Sequence, residues 1–381
     1  MTMIHWCGTG LSSIPGLRRL IEEGEDVRVW NRTPEKAGAA VGDLTDRISP
    51  LDTDTLADAL EAGDVVVSML PGDMHVPLAQ IAITKGAHFV SSSYISPEMR
   101  ALDTQARMAE VALVNEVGLD PGIDHLMAHW LVADYRKSPA YASGNHVSFI
   151  SYCGGVPKIP NAFRYKFSWS PLGVLKALRA PSRSIREYAE LEVARPWDAL
   201  RSYDAPLPQP ETFEVYPNRD SLPFIAQYHF DPVWKIREFV RGTLRLNGWA
   251  AAWADLFAEI EHLEGPAGEA RLKALSDELW AKYAYDEGEP DRVIICVGLK
   301  AEKDGIPVYH KTYAMDAWGD LRGSAMARLV SQPVSFAVQS VLRREISPGV
   351  SAAPDDLRLV LRWLAEIEHL AQHLVIVDHL A

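Results

Sequence analysis

Hydroxyl and ionisable side chains gather among turn-forming residues in four short strings of this chain. The strings are SSSYISPEM at 91–99, NEVGLDPGIDHLMA at 115–128, SYCGGVP at 151–157 and YKFSWSPLGVL at 165–175. Among their titratable residues, the candidates for proton transfer are Tyr94, Asp120, His125 and Cys153. Proton transfer by a positioned side chain is the basis of general acid–base catalysis. Because the strings follow a segment typical of a dinucleotide-binding domain, the combination indicates a redox enzyme.

Size and composition predict a folded protein of two domains. The chain has 381 residues, of which 48% are hydrophobic and 23% are charged, and it has no low-complexity tract. Its net charge is −13 and its Lys and Arg residues are scattered, whereas nucleic-acid binding needs a basic face. No apolar run has the length of a membrane span, and no charged-then-apolar leader is present. We therefore expect a cytoplasmic protein without a nucleic-acid or membrane partner.

The cysteine and histidine pattern argues against a bound metal. The chain has three cysteines without a C-x-x-C pair: Cys7, Cys153 and Cys296. This usage fits a reducing compartment and excludes a structural zinc cluster. The histidines at 369, 373 and 379 are expected on a helix surface, so no metal site is predicted.

The first residues are predicted to form a strand, a glycine turn, a helix and a second strand. In this order of elements, a glycine motif is typical of a dinucleotide-binding site. The apolar run 4–7 leads into GTGLSSIPGL, and the strand VRVW follows at 27–30. Gly8 permits the tight turn, and Gly10 lets the backbone approach a pyrophosphate at the helix N-terminus. Ser13 stands where the usual fingerprint has its third glycine. A glycine-rich turn in another α/β fold is the alternative.

The end of the second strand predicts which dinucleotide binds. NAD enzymes place an acidic residue there to accept hydrogen bonds from the ribose hydroxyls. This chain instead has Asn31, Arg32 and Thr33, with no carboxylate before Glu35. A guanidinium and a hydroxyl suit a 2′-phosphate, so NADP is predicted. The alternative is that Arg32 only begins the next helix as a solvated charge.

Apolar and helical segments keep alternating up to residue 118. This repetition predicts a Rossmann-type, doubly wound parallel sheet with ligands at the carboxyl ends of its strands. The segments MLPGD (69–73), SSSY (91–94) and NEVGLDPG (115–122) follow such ends. We expect these three loops to form the floor of the active site.

The remaining sequence predicts a second, α+β domain with a mixed sheet. Its strands are expected near 146–153, 165–169, 239–245 and in a hairpin over 292–315. Asp304-Gly305 marks the turn of that hairpin. The C-terminal segment is predicted to be one helix followed by an apolar tail. We place the NADP-binding domain at 1–118, the catalytic domain at 119–322 and the C-terminal helices at 323–381.

The strings at 91–128 and 151–175 resemble the saccharopine reductase family, the glutamate-forming saccharopine dehydrogenases. The resemblance extends through YPNRDSLPF (216–224), VRGTLR (240–245) and GSAMARLVSQPVSFAVQSVL (323–342). It implies an NADP-dependent oxidoreductase that acts on a CH–NH bond and forms saccharopine from 2-aminoadipate 6-semialdehyde, glutamate and NADPH. It also implies C-terminal helices that return to the first domain, and we expect a homodimer with a small amino-acid substrate.

The family pattern implies roles for individual residues. The cofactor-binding set comprises Gly8, Thr9, Gly10, Leu11, Asn31, Arg32, Thr33, Leu70, Pro71, Ser92 and Leu119. The substrate-binding set comprises Ser93, Tyr94, Asp120, Arg219, Thr243 and Arg245, and the catalytic set comprises Asp120, Tyr94 and Cys153. Saccharopine carries several carboxylates, which a planar guanidinium binds in bidentate fashion.

Other interpretations of these residues and of the whole chain stay open. Asp120 could only cap the following helix, Tyr94 could be an aromatic strand end, and Cys153 could be a packed small side chain. Arg219 could be a solvated surface arginine, and His125 could serve packing. The segment VPKIPN (156–161) departs from the family pattern, so a sibling imine reductase resembling carboxynorspermidine dehydrogenase is an alternative. A non-catalytic NADP-binding sensor is another.

Overall fold

Two compact units make up the chain, and a computed structural model describes residues 2–381. The first unit contains the residues up to Leu126 together with Met326–Ile367. The second unit contains Met127–Ala325 and Glu368–Ala381. Within the described residues, every helix is too short or too polar to cross a membrane.

The first unit is built on a parallel sheet of seven strands. They are β1 (Ile4–Cys7), β2 (Val27–Asn31), β3 (Ile48–Pro50), β4 (Val65–Ser68), β5 (His88–Ser91), β6 (Ala112–Val114) and β15 (Gly349–Ser351). Their order is β15-β6-β5-β4-β1-β2-β3, and all neighbours run parallel. The strand order reverses between β1 and β4, and ligands of such sheets bind outside the carboxyl ends at this point. The predicted doubly wound sheet is confirmed.

Helices alternate with these strands and bury a core against the sheet. They are α1 (Ile14–Glu22), α2 (Pro34–Val41), α3 (Thr53–Ala59), α4 (His75–Lys85), α5 (Pro97–Arg100), α6 (Asp103–Met108), α13 (Ala325–Leu342) and α14 (Leu357–Glu368). A further helix, α7 (Ile123–Lys137), begins in this unit and ends in the second. Val66, Leu78, Phe89 and Leu113 are fully buried in one cluster. Their burial supplies the hydrophobic free energy that fixes the strand ends.

Helices α1 and α13 approach so closely that no side chain fits at Gly16. Its backbone N–H donates to Ser331 Oγ at 2.8 Å, and a β-carbon there would lie 2.0 Å from the Ser331 carbonyl oxygen. The third glycine of the dinucleotide fingerprint usually serves close packing of this first helix. Here Gly16 allows a close helix contact, while Ser13 Oγ donates to the Gly10 carbonyl at 2.9 Å.

The second unit contains a mixed sheet of nine strands. They are β7 (His146–Pro157), β8 (Ser182–Arg186), β9 (Ala189–Val193), β10 (Arg201–Ala205), β11 (Glu211–Pro217), β12 (Lys235–Leu246), β13 (Asp291–Lys303), β14 (Ile306–Trp318) and β16 (His373–Asp378). The main path is β10-β11-β12-β7-β13-β14-β16, and β8 pairs with β12 and β9. Strands β12 and β7 are parallel, and the other pairs are antiparallel. Its helices are α8 (Pro171–Leu178), α9 (Pro223–Gln227), α10 (Trp249–Ala252), α11 (Ala254–Glu261) and α12 (Gly265–Tyr283).

Two expectations about this unit have opposite outcomes. The hairpin of β13 and β14 is confirmed, with positive φ at its turn residues Asp304 (51°) and Gly305 (80°), as a two-residue hairpin loop requires. The strand expected at 165–169 is wrong, because only an isolated bridge at Phe167 forms there. Tyr165 and Phe167 are instead buried in an aromatic cluster with Trp253. Alternate burial of side chains therefore produced a strand-like pattern in a segment that has no strand partner.

The C-terminal tail differs from the expected apolar extension. It forms β16, which pairs with β14 in antiparallel register from Lys311–Asp378 to Asp316–His373. The β-branched residues of HLVIVD favour a pleated strand, but the sequence alone does not show which edge the strand will join.

The contact at Gly16 gives a prediction about stability. Gly16→Ala should lower the free energy of unfolding by about 1–3 kcal/mol, because the added methyl forces α1 away from α13. Gly38→Ala on α2 is the matched control, since a β-carbon there would meet nothing within 4 Å. It should be neutral or slightly stabilising. Denaturant unfolding followed by circular dichroism measures both, and equal stability of the two variants would contradict the close contact.

Candidate active site

The loop between β1 and α1 has the geometry of a phosphate-binding turn. Gly8 has a φ of 102°, and a β-carbon there would lie 2.8 Å from the Met69 carbonyl oxygen. A β-carbon at Gly10 would meet nothing within 4 Å, and the neighbouring Leu11 is 61% exposed. Thr9 Oγ1 is buried and has no hydrogen-bond partner among residues 2–381. An open backbone, an unpaired hydroxyl and the N-terminus of α1 fit a dinucleotide pyrophosphate.

The residues after β2 fit a phosphorylated ribose. The side-chain amide of Asn31 donates to the Thr33 carbonyl oxygen at 2.8 Å, which tightens the turn. Arg32 is exposed, and within the described part of the chain it forms no hydrogen bond or ion pair. An arginine without a protein partner at this strand end can bind a 2′-phosphate.

The loop after β4 lies against the glycine loop. A β-carbon at Gly8 would come within 3.0 Å of Leu70 Cδ2. Leu70 is half-buried and Pro71 is exposed. The structure thus brings the predicted phosphate loop and the predicted nicotinamide-side residues together at the carboxyl ends of β1 and β4.

The loops after β5 and β6 meet through two predicted acid–base residues. The Tyr94 hydroxyl donates to Asp120 Oδ1 at 3.1 Å. Both side chains are half-buried, and the adjacent Leu119 is buried. A phenol beside a carboxylate that is still partly accessible can orient that carboxylate toward a ligand, so this pair is suited to holding or moving a proton.

Backbone contacts hold the two loops together. The Glu116 N–H donates to the Ser93 carbonyl oxygen at 3.0 Å. A β-carbon at Gly118 would lie 2.9 Å from Ser92 Cβ, so the loops pack without room for a side chain there. Ser92, Ser93 and Asp120 are therefore brought to one edge of the sheet, as the sequence predicted for these loops.

A fully buried histidine lies beneath this edge. His125 Nε2 lies 3.1 Å from Glu116 Oε2, and its Nδ1 lies 3.5 Å from Asp124 Oδ2. The other oxygens of the two carboxylates accept backbone hydrogen bonds from Ile95 at 3.0 Å and from Gly122 at 2.7 Å. His125 therefore ties the two loops to the start of α7, which supports its interpretation as a packing residue.

A second histidine was missed by the sequence analysis. His75 is the first residue of α4, and its ring nitrogens lie 2.8 Å from Ser68 Oγ and 2.8 Å from Ser93 Oγ. Burial lowers the pKa of His75 below its ordinary value, so the imidazole is neutral near pH 7. Its position directly after the MLPGD loop was the signal that could have identified it.

In the second unit, Cys153, Thr243 and Arg245 share one face of the sheet. Cys153 on β7 is the register partner of Thr243 on β12, and Thr243 also faces Tyr216 on β11. Arg245 stands two residues beyond Thr243, which places its side chain on the same face. Cys153 and Arg245 are buried, and Thr243 is half-buried.

The guanidinium of Arg245 lies in an aromatic enclosure. Its Cζ is 4.8 Å from the centre of the Tyr165 ring, 5.5 Å from that of Trp249 and 5.8 Å from that of Tyr216. Arg245 is 6% exposed, Nη1 donates to the Leu244 carbonyl at 3.4 Å, and Nε has no partner among the described residues. Within residues 2–381, no carboxylate forms an ion pair with Arg245. Because burying an unpaired charge is costly, this arrangement favours a bound anion.

The other predicted arginine has a different setting. Arg219 is exposed in the loop after β11, with a positive φ of 56°. Arg241, which the sequence analysis did not single out, is 4% exposed and stacks on Phe224 with its Cζ 4.0 Å from the ring centre. It precedes Thr243 by two residues, so the alternation in VRGTLR places a second arginine on the Arg245 face.

The other two cysteines are buried in hydrophobic cores. Burial raises the pKa of Cys296 to about 12 and raises the pKa of Cys7 as well. Cys296 packs with Leu244, on the face of the second sheet opposite Arg245. Cys153 is therefore the cysteine that shares a face with the predicted substrate residues.

Two models of one protein family match the chain. A model of the saccharopine dehydrogenase NADP binding domain matches residues 4–114. A model of the saccharopine dehydrogenase C-terminal domain matches residues 118–369. The prediction of NADP as the cofactor is confirmed by the first of these matches.

Individual relatives agree with the family models. Saccharopine dehydrogenase (NADP(+), L-glutamate-forming) of Pyricularia oryzae is 36% identical over 249 residues, which is 64% of this chain and 54% of that protein. The enzyme of the same name from Schizosaccharomyces pombe is 28% identical over an alignment that covers 94% of this chain and 95% of that protein. The chain thus aligns with about half of the first relative and with nearly all of the second.

A solved structure matches the whole fold. Apo histidine-tagged saccharopine dehydrogenase (L-Glu forming) from Saccharomyces cerevisiae has a TM-score of 0.82 and 25% identity, over 99% of this chain and 100% of that one. The fold class predicted from the sequence is therefore confirmed, and the individual site residues stay predictions.

Arg32 gives a prediction about cofactor choice. The parent should bind NADPH more tightly than NADH, and Arg32→Ala should remove most of that preference. Loss of a charge-assisted contact of this kind weakens binding by about tenfold to a hundredfold. Fluorescence titration with both cofactors measures the four Kd values. Arg107→Ala is the control, because this exposed arginine pairs with Asp103 on α6 and should not affect either Kd. A parent that prefers NADH would contradict the assignment.

Proposed function

Because the chain belongs to the saccharopine dehydrogenase family, we propose that it is an NADP-dependent oxidoreductase acting on a CH–NH bond. In the synthetic direction, 2-aminoadipate 6-semialdehyde and glutamate would form an imine, whose reduction gives the secondary amine saccharopine. The observation that carries the proposal is Arg245, a buried guanidinium without a carboxylate partner among the described residues. A substrate with several carboxylates supplies the missing anion.

The first unit would hold the cofactor. NADPH supplies the hydride that reduces the carbon of the C=N bond. The backbone from Gly8 to Leu11 would bind its pyrophosphate, and Arg32 would bind its 2′-phosphate, with Asn31 and Thr33 shaping the turn. Leu70, Pro71, Ser92 and Leu119 are proposed as further cofactor contacts.

The Tyr94–Asp120 pair would manage the proton on nitrogen. The Asp120 carboxylate can accept a hydrogen bond from the amine or ammonium of the substrate, while the Tyr94 hydroxyl fixes its orientation. Imine formation also needs a proton for the departing water, and the same pair can deliver it. Cys153 is proposed as an auxiliary acid–base or wall residue, because it shares a sheet face with Thr243 and Arg245.

The second unit would bind substrate carboxylates. Arg245 offers a planar guanidinium that is buried among aromatic rings, and such a group can bind a carboxylate in bidentate fashion. Thr243 offers a hydroxyl on the same face, and Arg219 is proposed as an exposed second cation. A polyamine-bearing substrate needs acidic residues in its pocket, so Arg245 disfavours the carboxynorspermidine-type alternative.

Compartment and assembly belong to the same proposal. All three cysteines are free thiols, which supports a reducing compartment such as the cytoplasm. A homodimer is proposed on the family resemblance alone. A non-catalytic sensor is disfavoured because the relatives described above are named as dehydrogenases.

Turnover by the parent and by Arg245 variants tests the function. NADPH oxidation should require 2-aminoadipate 6-semialdehyde plus glutamate. Arg245→Ala should raise KM for glutamate by about tenfold or more and change NADPH affinity much less. Arg245→Lys keeps the charge but loses the planar fork, so it should restore only part of the affinity. Arg219→Ala should raise the same KM, with folding unaffected because the residue is exposed.

Thermal melting of each variant provides the control for folding. Turnover of polyamine substrates but not of glutamate would overturn the proposed substrate class. Equal losses for glutamate and NADPH in Arg245→Ala would show a damaged unit and remove the support that Arg245 gives.

The Tyr94–Asp120 contact gives a prediction about proton handling. Asp120→Asn keeps the shape but removes the charge, so it should lower kcat by about tenfold to a thousandfold and flatten one limb of the pH–rate profile. Tyr94→Phe leaves the carboxylate in place and should cause a smaller loss. Steady-state rates across the pH range measure both. If Asp120→Asn turns over like the parent at every pH, Asp120 has only a structural role.

A further inference from the structure

We propose that a directional hydrogen-bond chain, Ser68–His75–Ser93, makes Ser93 a hydrogen-bond donor to a carboxylate of the substrate, with His75 as its positioning residue. The proposal deepens the proposed function, since the ligand is taken to be the carboxylate-bearing substrate. The direction of these hydrogen bonds follows from the contacts of the protein alone and does not depend on the identity of the ligand.

Three separate elements of the first unit contribute to this chain. Ser68 is the last residue of β4, His75 is the first residue of α4, and Ser93 lies in the loop after β5. His75 Nδ1 is 2.8 Å from Ser68 Oγ, and Nε2 is 2.8 Å from Ser93 Oγ. Ser68 and His75 are buried, with exposed fractions of 0% and 6%, and Ser93 is half-buried. The series of hydrogen bonds from Ser68 through His75 to Ser93 therefore leads from the interior toward the accessible edge of the sheet.

The number of available protons determines which atom donates in the buried hydrogen bond between Ser68 and His75. Within residues 2–381, Ser68 Oγ has His75 Nδ1 as its one hydrogen-bond partner. If Nδ1 carried a proton, the Ser68 O–H would have no acceptor, and an unmade buried hydrogen bond is costly. Ser68 therefore donates to Nδ1. Since the imidazole is neutral, its single proton lies on Nε2.

The same count fixes the role of Ser93. His75 Nε2–H donates to Ser93 Oγ, which leaves the Ser93 hydroxyl proton for another acceptor. The backbone of Ser93 is fixed by two hydrogen bonds. Its N–H donates to Ser91 Oγ at 3.1 Å, and its carbonyl oxygen accepts from the Glu116 N–H. None of the described residues accepts the hydroxyl proton. Ser93 is thus set to donate to an oxygen of a ligand.

This direction excludes a different use of the pair. In a serine hydrolase, the histidine nitrogen beside the serine is unprotonated and takes its proton. Here that nitrogen is a donor, and the other nitrogen accepts from a serine instead of donating to a carboxylate. Ser93 is therefore a binding donor, and it immediately precedes Tyr94, which contacts Asp120. Substrate orientation and proton handling are placed on consecutive residues of one loop.

NMR tests the direction without requiring activity. Protein labelled at the histidine ring nitrogens reports which nitrogen of His75 carries the proton, and its signals are assigned by their loss in His75→Gln. We expect a protonated Nε2 and an unprotonated Nδ1. A protonated Nδ1 would overturn the proposal, whether or not the protein turns over saccharopine.

Kinetics test the consequence for the ligand. Ser93→Ala and His75→Leu should each raise KM for the amino-acid substrate, by about tenfold for a lost hydrogen bond to a charged group. His75→Gln retains an N–H donor near the Nε2 position and should recover most of the affinity. The double variant should be no worse than Ser93→Ala alone, because His75 acts through Ser93.

Another histidine of the first unit, His88, provides the control. His88→Leu removes another partly buried histidine, whose Nδ1 accepts from the Ala112 N–H at 3.0 Å, and should leave KM unchanged even if stability falls. Additive effects of His75→Leu and Ser93→Ala would overturn the positioning role. A change confined to the Kd of NADPH would place the acceptor on the cofactor and overturn the assignment to the substrate.

Discussion

The buried imidazole of His125 is the contact on which the first unit's site geometry depends. Through Glu116 it reaches the Ile95 N–H, one residue beyond Tyr94, and through Asp124 it reaches the Gly122 N–H, two residues beyond Asp120. Both members of the Tyr94–Asp120 pair are therefore held from beneath by one side chain. Such a buried network contributes little net stability compared with apolar packing, but removing one member leaves the others unpaired and is strongly destabilising. Its value lies in specifying a single arrangement of two loops.

Local patterns made much of the fold predictable. The alternation of apolar strands and helices up to residue 118 reports burial on both faces of a parallel sheet, and the Asp304-Gly305 turn reports a required positive φ. The positions of the two loops proposed to bind the cofactor were predictable for the same reason, because each loop directly follows one apolar strand in the sequence. The strings at 91–94 and 115–120 follow adjacent strands, so their meeting could also be expected.

What the sequence did not show depends on contacts between distant residues. The steric need for Gly16 comes from Ser331, and the strand formed by residues 373–378 depends on an edge offered by β14. His75 looked like an ordinary helix start, because its partners Ser68 and Ser93 lie on two other elements. At 165–169, an alternating pattern reflected aromatic burial without strand pairing. In each case the local sequence pattern indicates that a residue is buried, but it does not show which distant residues the side chain will contact.

Electrostatics place a local demand on an acidic protein. With a net charge of −13, the overall field would not attract the proposed substrate, which carries several carboxylates, so attraction would have to come from a few desolvated groups. Arg245 would meet this demand, because its guanidinium is buried among aromatic rings and charge interactions are stronger in such a setting. In the first unit, the proposed Ser68–His75–Ser93 hydrogen bonds would do the same with a neutral group, since His75 would make the Ser93 hydroxyl a fixed donor without adding charge. Each of the two groups would favour a carboxylate over an ammonium, because the Arg245 cation repels an ammonium and the Ser93 hydroxyl proton needs an acceptor that an ammonium lacks.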